Sequence, residues 1–142
     1  MKIIWLRPSR ADFSYHLKQL KAAFEGSDNP KAEYQDMLAN LQRGEASCYM
    51  VTGQGVRLRF VGRVIDGNYH IIAMAGHGLR QAASLIIDQC CKRRFQAITY
   101  HAYRDGMRRI LNRFGFEQVD TVRQFADKAE TLHQLALGGV YG

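Results

Sequence analysis

One stretch near the middle of the chain constrains the fold more than any other. The apolar run from Tyr69 to Ala75 has the length and composition of a strand buried on both faces. The turn Gly76-His77-Gly78 follows it, and residues 79–92 then carry apolar side chains at helical spacing. A strand that passes through a glycine turn into an amphipathic helix is typical of sheets with helices on their faces, which predicts the α/β class.

The remaining segments extend this unit in both directions. Strand periodicity at residues 2–6 and helical periodicity at residues 13–24 and 30–41 come first. The later segments are a hairpin from residues 48–52 and 56–62, a strand at 97–103, a helix ending at 114, and two strands at 116–125 and 131–137. The predicted order is β-α-α-β-β-β-α-β-α-β-β, a mixed sheet with helices on its faces. No repeat or linker interrupts it, so residues 1–142 are predicted to form one domain.

Cysteine usage and hydropathy indicate the cellular setting. The three cysteines have no CxxC spacing, which disfavours a disulfide framework and a zinc site. No apolar run approaches the roughly 18 residues that span a bilayer. Arg7 and Pro8 interrupt the N-terminal apolar stretch before a signal-peptide core could form. We therefore expect a cytoplasmic protein with no metal cofactor and no membrane contact.

Positive charge is concentrated in one part of the chain. The net charge is +7, and seven basic residues between Cys91 and Phe114 against Asp105 alone contribute +6 of it. Such a surface favours a phosphate-bearing ligand, a nucleic acid or an acidic protein surface as partner. The residues of the last predicted helix that could contact it, in pairs at i, i+4 spacing, are Arg104 with Arg108 and Arg109 with Arg113. The same pattern is typical of a solvated helix face, and both interpretations stay open.

Two segments carry a resemblance to a known family. Gly76-His77-Gly78 opens the helix after the fourth strand, and Arg113-Phe114-Gly115-Phe116 follows the last helix. With the order of elements, these segments resemble the Gcn5-related N-acetyltransferase (GNAT) superfamily. The resemblance implies the GNAT acyl-CoA N-acyltransferase fold, acetyl-CoA as cofactor, and transfer of an acyl group from CoA to an amine.

The resemblance places cofactor binding at the turn before the third helix. In the family this turn reads Arg/Gln-x-x-Gly-x-Gly/Ala, and its backbone amides hold the CoA pyrophosphate at the helix N-terminus. The candidate residues are Ala75, Gly76, His77, Gly78 and Arg80. Gly78 keeps the central glycine, whereas Ala75 and Arg80 depart from the pattern. Arg80 and His77 could contact phosphate, or Arg80 could fill the place of the cofactor.

The second family segment reads Asn-x-x-Ala-x-x-x-Tyr-x-x-x-Gly-Phe and ends here at Gly115-Phe116. Leu111 stands at the position of the tyrosine that often acts as general acid, and it cannot donate a proton. Arg104 stands at the asparagine position, and we count it among the cofactor-binding candidates. The resemblance therefore leaves the acid role to a side chain of the neighbouring strand, for which the candidates are Tyr100, His101 and Tyr103.

The usual general base of the family, a glutamate near the fourth strand, has no match in this sequence. His70 is the candidate to deprotonate an amine, directly or through water, because an unperturbed imidazole titrates close to neutral pH. A histidine in such a strand is also typical of a hydrogen-bonded core residue. The catalytic candidates are His70, His101 and Tyr103.

Three functions remain open from the sequence. The first is a divergent GNAT-like acyltransferase. The second is a non-catalytic protein that uses the GNAT fold as a structural or binding part of an oligomer or larger assembly, such as a virion or a nucleic-acid-associated complex. The third is a phage-encoded relative that modifies DNA bases. An enzyme predicts an open cleft beside residues 76–78, and a structural derivative predicts that Arg80, His77 or the C-terminal tail fills it.

Overall fold

The computed structural model describes residues 1–125 and 128–138. One seven-stranded mixed sheet runs through them, with the strand order β1-β2-β3-β4-β5-β7-β6. The elements are β1 (Lys2–Leu6), α1 (Phe13–Lys18), a 3-10 helix (Lys21–Phe24), α2 (Pro30–Gln42), β2 (Ser47–Gly53), β3 (Val56–Ile65), β4 (Asn68–His77), α3 (Leu79–Lys92), β5 (Ala97–Ala102), α4 (Asp105–Arg113), β6 (Glu117–Phe125) and β7 (Lys128–Ala136). The predicted order of strands and helices is confirmed.

The first predicted helix is interrupted, which corrects the sequence interpretation of residues 13–24. The α-helix ends at Lys18, and the chain then tightens into a 3-10 turn, with Leu20 N donating to Leu17 O at 3.0 Å and Ala23 N donating to Leu20 O at 3.1 Å. This tightening brings both Leu20 and Phe24 into the core. Burial of the two side chains therefore outweighs continuation of a regular helix.

The sheet separates two hydrophobic cores. Helix α3 packs Ala82, Ile86 and Cys90 against one face, together with Leu111 of α4. The 3-10 helix and α2 pack against the other face, and this second core contains Leu20, Phe24, Met37 and Leu41. Each helix pair therefore covers its own side of the sheet, as the amphipathic patterns predict. No helix in residues 1–125 and 128–138 is long and apolar enough to cross a membrane.

Strand β4 carries one extra residue where it pairs with β3. Val61 pairs with Ala73 and Gly62 pairs with Ile71, so Ile72 has no partner on β3. Such a bulge bends the strand and changes which residues face each side of the sheet. His70 and Ile72 consequently face the α2 side, while Tyr69 and Ile71 belong to the core under α3.

Strands β4 and β5 pair over only part of their length. Their parallel pairing covers Tyr69 to Ile71 of β4 and Ile98 to Tyr100 of β5. Beyond that point β4 continues to His77 in pairing with β3, and β5 continues to Ala102 in pairing with β7. The carboxyl ends of two neighbouring parallel strands therefore separate, which leaves an opening between them. Ligands commonly bind at such strand ends in α/β sheets.

Candidate active site

A cavity of about 300 Å³ lies on the α2 side of the sheet, where β4 and β5 separate. Its walls come from the 3-10 helix, α2 and strands β3, β4 and β5, and its lining includes His70, His101 and Tyr103. The structure thus brings together the three side chains that the sequence analysis named as catalytic candidates. Strand alternation explains this, because Thr99, His101 and the following Tyr103 project to the face opposite Tyr100.

A larger groove, of about 740 Å³, lies on the α3 side of the sheet. Its lining includes Trp5, Tyr49 and Phe60, and it contains none of the catalytic candidates. Chemistry rather than volume therefore selects the smaller cavity, because groups able to transfer protons converge there.

His70 lies close to Thr99 in the floor of the cavity. Its Nδ1 is 2.7 Å from Thr99 Oγ1. Burial, followed by the proximity of His101 and then Arg63, lowers the pKa of His70 to about 4. The imidazole of His70 is therefore neutral at physiological pH. It has the hydrogen-bonded character of a core histidine and yet lines the cavity.

His101 lies within hydrogen-bond distance of a residue that the sequence analysis did not name. His101 Nδ1 lies 2.9 Å from Glu130 Oε2. Glu130 is 3% exposed, and its other oxygen, Oε1, has no hydrogen-bond partner among the described residues. The predicted strand at 131–137 began one residue after Glu130. Its periodicity did not show that this strand pairs with β5, and that pairing is what brings Glu130 near His101.

Tyr103 follows β5 and lies between two carboxylates. Its hydroxyl donates to Glu33 Oε2 of α2 at 3.4 Å. Burial, followed by Glu33 and Glu130, raises the pKa of Tyr103, so the hydroxyl keeps its proton at neutral pH. Tyr100, the alternative at this position, is buried with Leu111 in the core on the opposite face. Of the two tyrosines, Tyr103 alone lines the cavity.

The turn before α3 requires glycine at two positions. Gly76 has φ +126°, and a Cβ there would lie 2.2 Å from the carbonyl oxygen of Arg57. Gly78 has φ +95° and packs against Val56, where a Cβ would lie 2.9 Å from Cγ2. The turn thus runs close against β3, with a left-handed residue directly before the helix.

The start of α3 is open to an anion. No side chain caps its first turn, and His77 and Arg80 beside it are exposed. Free N–H groups at a helix start and the positive end of its dipole hold anions. The filled cleft expected of a structural derivative stays a prediction. The C-terminal tail beyond residue 138 lies outside the described residues.

Of the four arginines predicted to track phosphates, Arg104 directly before α4 and Arg108 within it are engaged in internal contacts. Arg104 donates to Ala22 O at 3.2 Å and to Glu25 O at 3.3 Å. Arg108 donates to Asp105 Oδ1 at 2.6 Å, to Thr131 Oγ1 at 2.9 Å and to the carbonyl of Ala129. Arg104 thus fastens the start of α4 to the 3-10 helix, and Arg108 fastens α4 to β7.

Arg109 and Arg113 are the arginines of α4 that remain exposed. Arg104 is exposed as well, and Arg108, at 22% exposed, is the one of these four arginines that is largely withdrawn from the surface. Cofactor binding by Arg104 stays a prediction; its side chain is 57% exposed while its guanidinium donates to the two carbonyls. Within the described ranges, no three His, Cys, Asp or Glu side chains are grouped to hold a metal ion.

Comparison with known proteins gives contrasting results for sequence and structure. No family model and no curated protein matches this sequence. The ribosomal-protein-S18-alanine N-acetyltransferase from Escherichia coli matches in structure, with a TM-score of 0.67 and 16% identity over 96% of this chain and 93% of that chain. The chain has the GNAT fold.

Two further GNAT-fold structures match to a similar extent. The aminoglycoside 6'-N-acetyltransferase from Enterococcus faecium has a TM-score of 0.60 and 10% identity, over 96% of this chain and 97% of that chain. An aminoglycoside 6'-N-acetyltransferase complexed with coenzyme A has a TM-score of 0.63 and 10% identity over the same shares. The expected GNAT fold is thus confirmed. A fold hosts many functions, so the activity has to be argued from the site.

Proposed function

We propose that this GNAT-fold protein transfers an acyl group from acyl-CoA to an amine. The observation that carries the proposal is the separation of β4 and β5 after Ile71 and Tyr100, with the uncapped start of α3 on one side and the histidine-lined cavity on the other. In this arrangement a thioester held at the start of α3 and an amine held in the cavity would approach each other where the two strands separate. The coenzyme A complex of a structural neighbour supports the choice of cofactor.

The turn before α3 fits the phosphates of CoA. Gly76 and Gly78 let the turn pass close to β3 directly before the helix, and the first N–H groups of α3 supply donors. The exposed side chains of His77 and Arg80 stand beside it and supply positive charge or further donors. When bound, acyl-CoA supplies a thioester whose carbonyl carbon accepts the amine.

The cavity side of the cleft fits an amine acceptor. Glu33 and Asp36 of α2 line its wall, and carboxylates attract ammonium groups. Arg63 also lines the cavity, and its Nη1 donates to Asn40 Oδ1 at 3.0 Å. The acidic wall of α2 therefore favours an acceptor that is cationic in solution.

The proton transfers of the reaction are assigned to the three catalytic candidates that line the cavity. His70 and His101 are placed to take a proton from the attacking amine, and Tyr103 supplies a protonated hydroxyl for the leaving thiolate, although the pKa raised by burial and Glu33 makes it a weak acid. Tyr103 thereby takes the acid role for which Leu111 has no hydrogen-bonding atom.

Acyl transfer is tested with acetyl-CoA and a panel of amines, including diamines, N-terminal peptides and aminoglycosides, with release of the CoA thiol as the signal. We expect thiol release that depends on the amine and that falls in the variant Arg80→Glu through a raised KM for acetyl-CoA. Arg94→Glu, an exposed arginine outside the turn, is the matched control. Thiol release at the buffer rate with every amine would refute the proposal.

A further inference from the structure

We propose that Glu130 is a positioning residue that fixes His101 so that its Nε2 takes the proton of the attacking amine. The inference rests on the proposed acyl transfer and adds to it a residue from outside both family segments. Glu130 lies on β7, which inserts between β5 and β6 in the sheet. It therefore reaches His101 from the strand next to β5.

The geometry defines which nitrogen of His101 is free. Glu130 Oε2 lies 2.9 Å from His101 Nδ1, and an ionised carboxylate can only accept a hydrogen bond. Nδ1 therefore carries the hydrogen of the neutral ring, and Nε2 keeps its lone pair. The side chain of His101 is 31% exposed and lines the cavity, while that of Glu130 is 4% exposed. The carboxylate is thus held behind the ring, away from the acceptor.

Glu130 is well fixed in this position. Residues 131–136 of β7 pair regularly with β5, Ala102 with Thr131 and His101 with Leu132, and Glu130 directly before them pairs with Arg123 of β6. Its Oε1 is buried and has no hydrogen-bond partner among the described residues, so the contact of Oε2 with His101 is the one that holds this carboxylate. A buried carboxylate with one partner orients that partner strongly.

His70 is less suited to take the proton. Its Nδ1 is 2.7 Å from Thr99 Oγ1, and no carboxylate contacts its ring in the described residues. Its low pKa, caused first by burial, makes it a weak base. His70 therefore helps to line the acceptor site, and His101 with Glu130 forms the proton-accepting pair.

The charged and titratable groups around His101 come from several elements. They are Glu33 and Asp36 of α2, Arg63 of β3, His70 of β4, Tyr103 after β5, Arg108 of α4, and Glu130 and His133 of β7. Arg108 donates to Thr131 Oγ1, and His133 Nε2 lies 2.8 Å from the same oxygen. Of these groups, Glu130 is the one in hydrogen-bond contact with the ring of His101.

The transfer step balances with these groups. The nitrogen of the neutral amine forms a bond to the thioester carbonyl carbon, and the carbon–sulfur bond breaks with its electron pair going to sulfur. One proton of the amine moves to His101 Nε2, and the thiolate takes a proton from Tyr103 or water. Glu130 keeps its charge throughout and stabilises the imidazolium that forms.

The histidine tautomer and the reaction rate together test this assignment. In protein with ¹⁵N-labelled histidine, the His101 signals should report the Nδ1–H tautomer, and Glu130→Gln should shift them toward Nε2–H. In the acyl-transfer assay the same variant should lower kcat by roughly 10²-fold or more, with a KM for acetyl-CoA near that of the wild type. His101→Asn should lower kcat to a similar level. Glu117→Gln, an exposed glutamate on β6, is the control.

The outcomes separate this inference from the proposed function. Acetyl transfer with an unchanged kcat in Glu130→Gln, or an Nε2–H tautomer in the wild type, would overturn the role of Glu130 and leave the transferase standing. Failure of the wild type to bind acetyl-CoA would overturn both. If Glu130→Gln does not fold, the role of Glu130 is decided by the His101 tautomer in the wild type and by the kcat of His101→Asn. The second variant is expected to fold because the side chain of His101 is partly exposed.

Discussion

The imidazole ring of His70 lies 5.2 Å from that of His101, with the two ring planes at 74°. Two imidazolium ions at this distance repel each other, and burial disfavours charge on His70 further. The pKa of His70 is accordingly lowered to about 4. His70 thus stays neutral at physiological pH, and His101 is held by the buried carboxylate of Glu130.

The stability of the protein should fall as the pH is lowered from about 6.5 to about 4, in part because of His70. Its pKa is lowered from 6.5 to about 4 in the folded state, so the unfolded chain binds this proton first. The free energy of unfolding therefore decreases as the pH falls through this window. Urea denaturation at pH 7, 5.5 and 4.5 measures it. His70→Asn should weaken the dependence, whereas exposed His77→Asn should keep the wild-type slope. Equal slopes in all three proteins would contradict the assignment.

Arg108→Ala should destabilise the protein by about 1–3 kcal/mol, because the guanidinium joins α4 to β7 through Thr131 and Ala129. The side chain is 22% exposed, so its contacts are only partly screened. Arg109→Ala on the exposed side of α4 should change stability by less than about 0.5 kcal/mol. Chemical denaturation of both variants provides the comparison, and similar losses in the two would show that the contacts of Arg108 contribute little.

Gly76→Ala should destabilise the protein by at least about 2 kcal/mol, because the new Cβ would lie 2.2 Å from the carbonyl oxygen of Arg57 and φ is +126°. Gly106→Ala in α4 is the matched control, since nothing lies within 4 Å of its added Cβ. Alanine should leave stability there unchanged or raise it by up to about 1 kcal/mol. Thermal unfolding of the two variants measures the difference. A Gly76→Ala protein as stable as the wild type would mean that the turn lies further from β3.

Glu33→Gln should raise the KM for a cationic amine acceptor by about tenfold, because a charged hydrogen bond contributes roughly 1.5–3 kcal/mol. Glu33 lines the cavity and accepts from Tyr103. Initial rates against amine concentration, at saturating acetyl-CoA, give KM and kcat separately. Glu117→Gln serves again as control. An unchanged KM for amines of every charge would show that the α2 wall does not select the acceptor.

The order of elements was predictable because each rests on local periodicity. The apolar spacing of residues 79–92 and the glycine at Gly78 fixed α3, and Asn29-Pro30 marked the start of α2, where the Asn29 side chain accepts from Ala32 N at 3.2 Å. The break after Lys18 escaped prediction, because burial of both Leu20 and Phe24 is a tertiary requirement.

The candidate site was predictable only in part, because some of its contacts depend on tertiary structure. His70, His101 and Tyr103 were named from the family resemblance, and they share one cavity. Glu130 could not be assigned, because its contact with His101 depends on β7 lying next to β5. Strand order is a long-range property that periodicity does not encode. The same limit applies to Arg108, whose partners lie on β7.

The central claim is that the opening between β4 and β5 is an acyl-CoA site, and calorimetric titration with acetyl-CoA tests it most directly. We expect saturable one-to-one binding by the wild type, with affinity lost in Gly78→Ala, whose added Cβ would meet Val56 and disturb the turn, and retained in Gly106→Ala. Absence of binding by the folded wild-type protein at millimolar acetyl-CoA, at both low and moderate salt, would contradict the account.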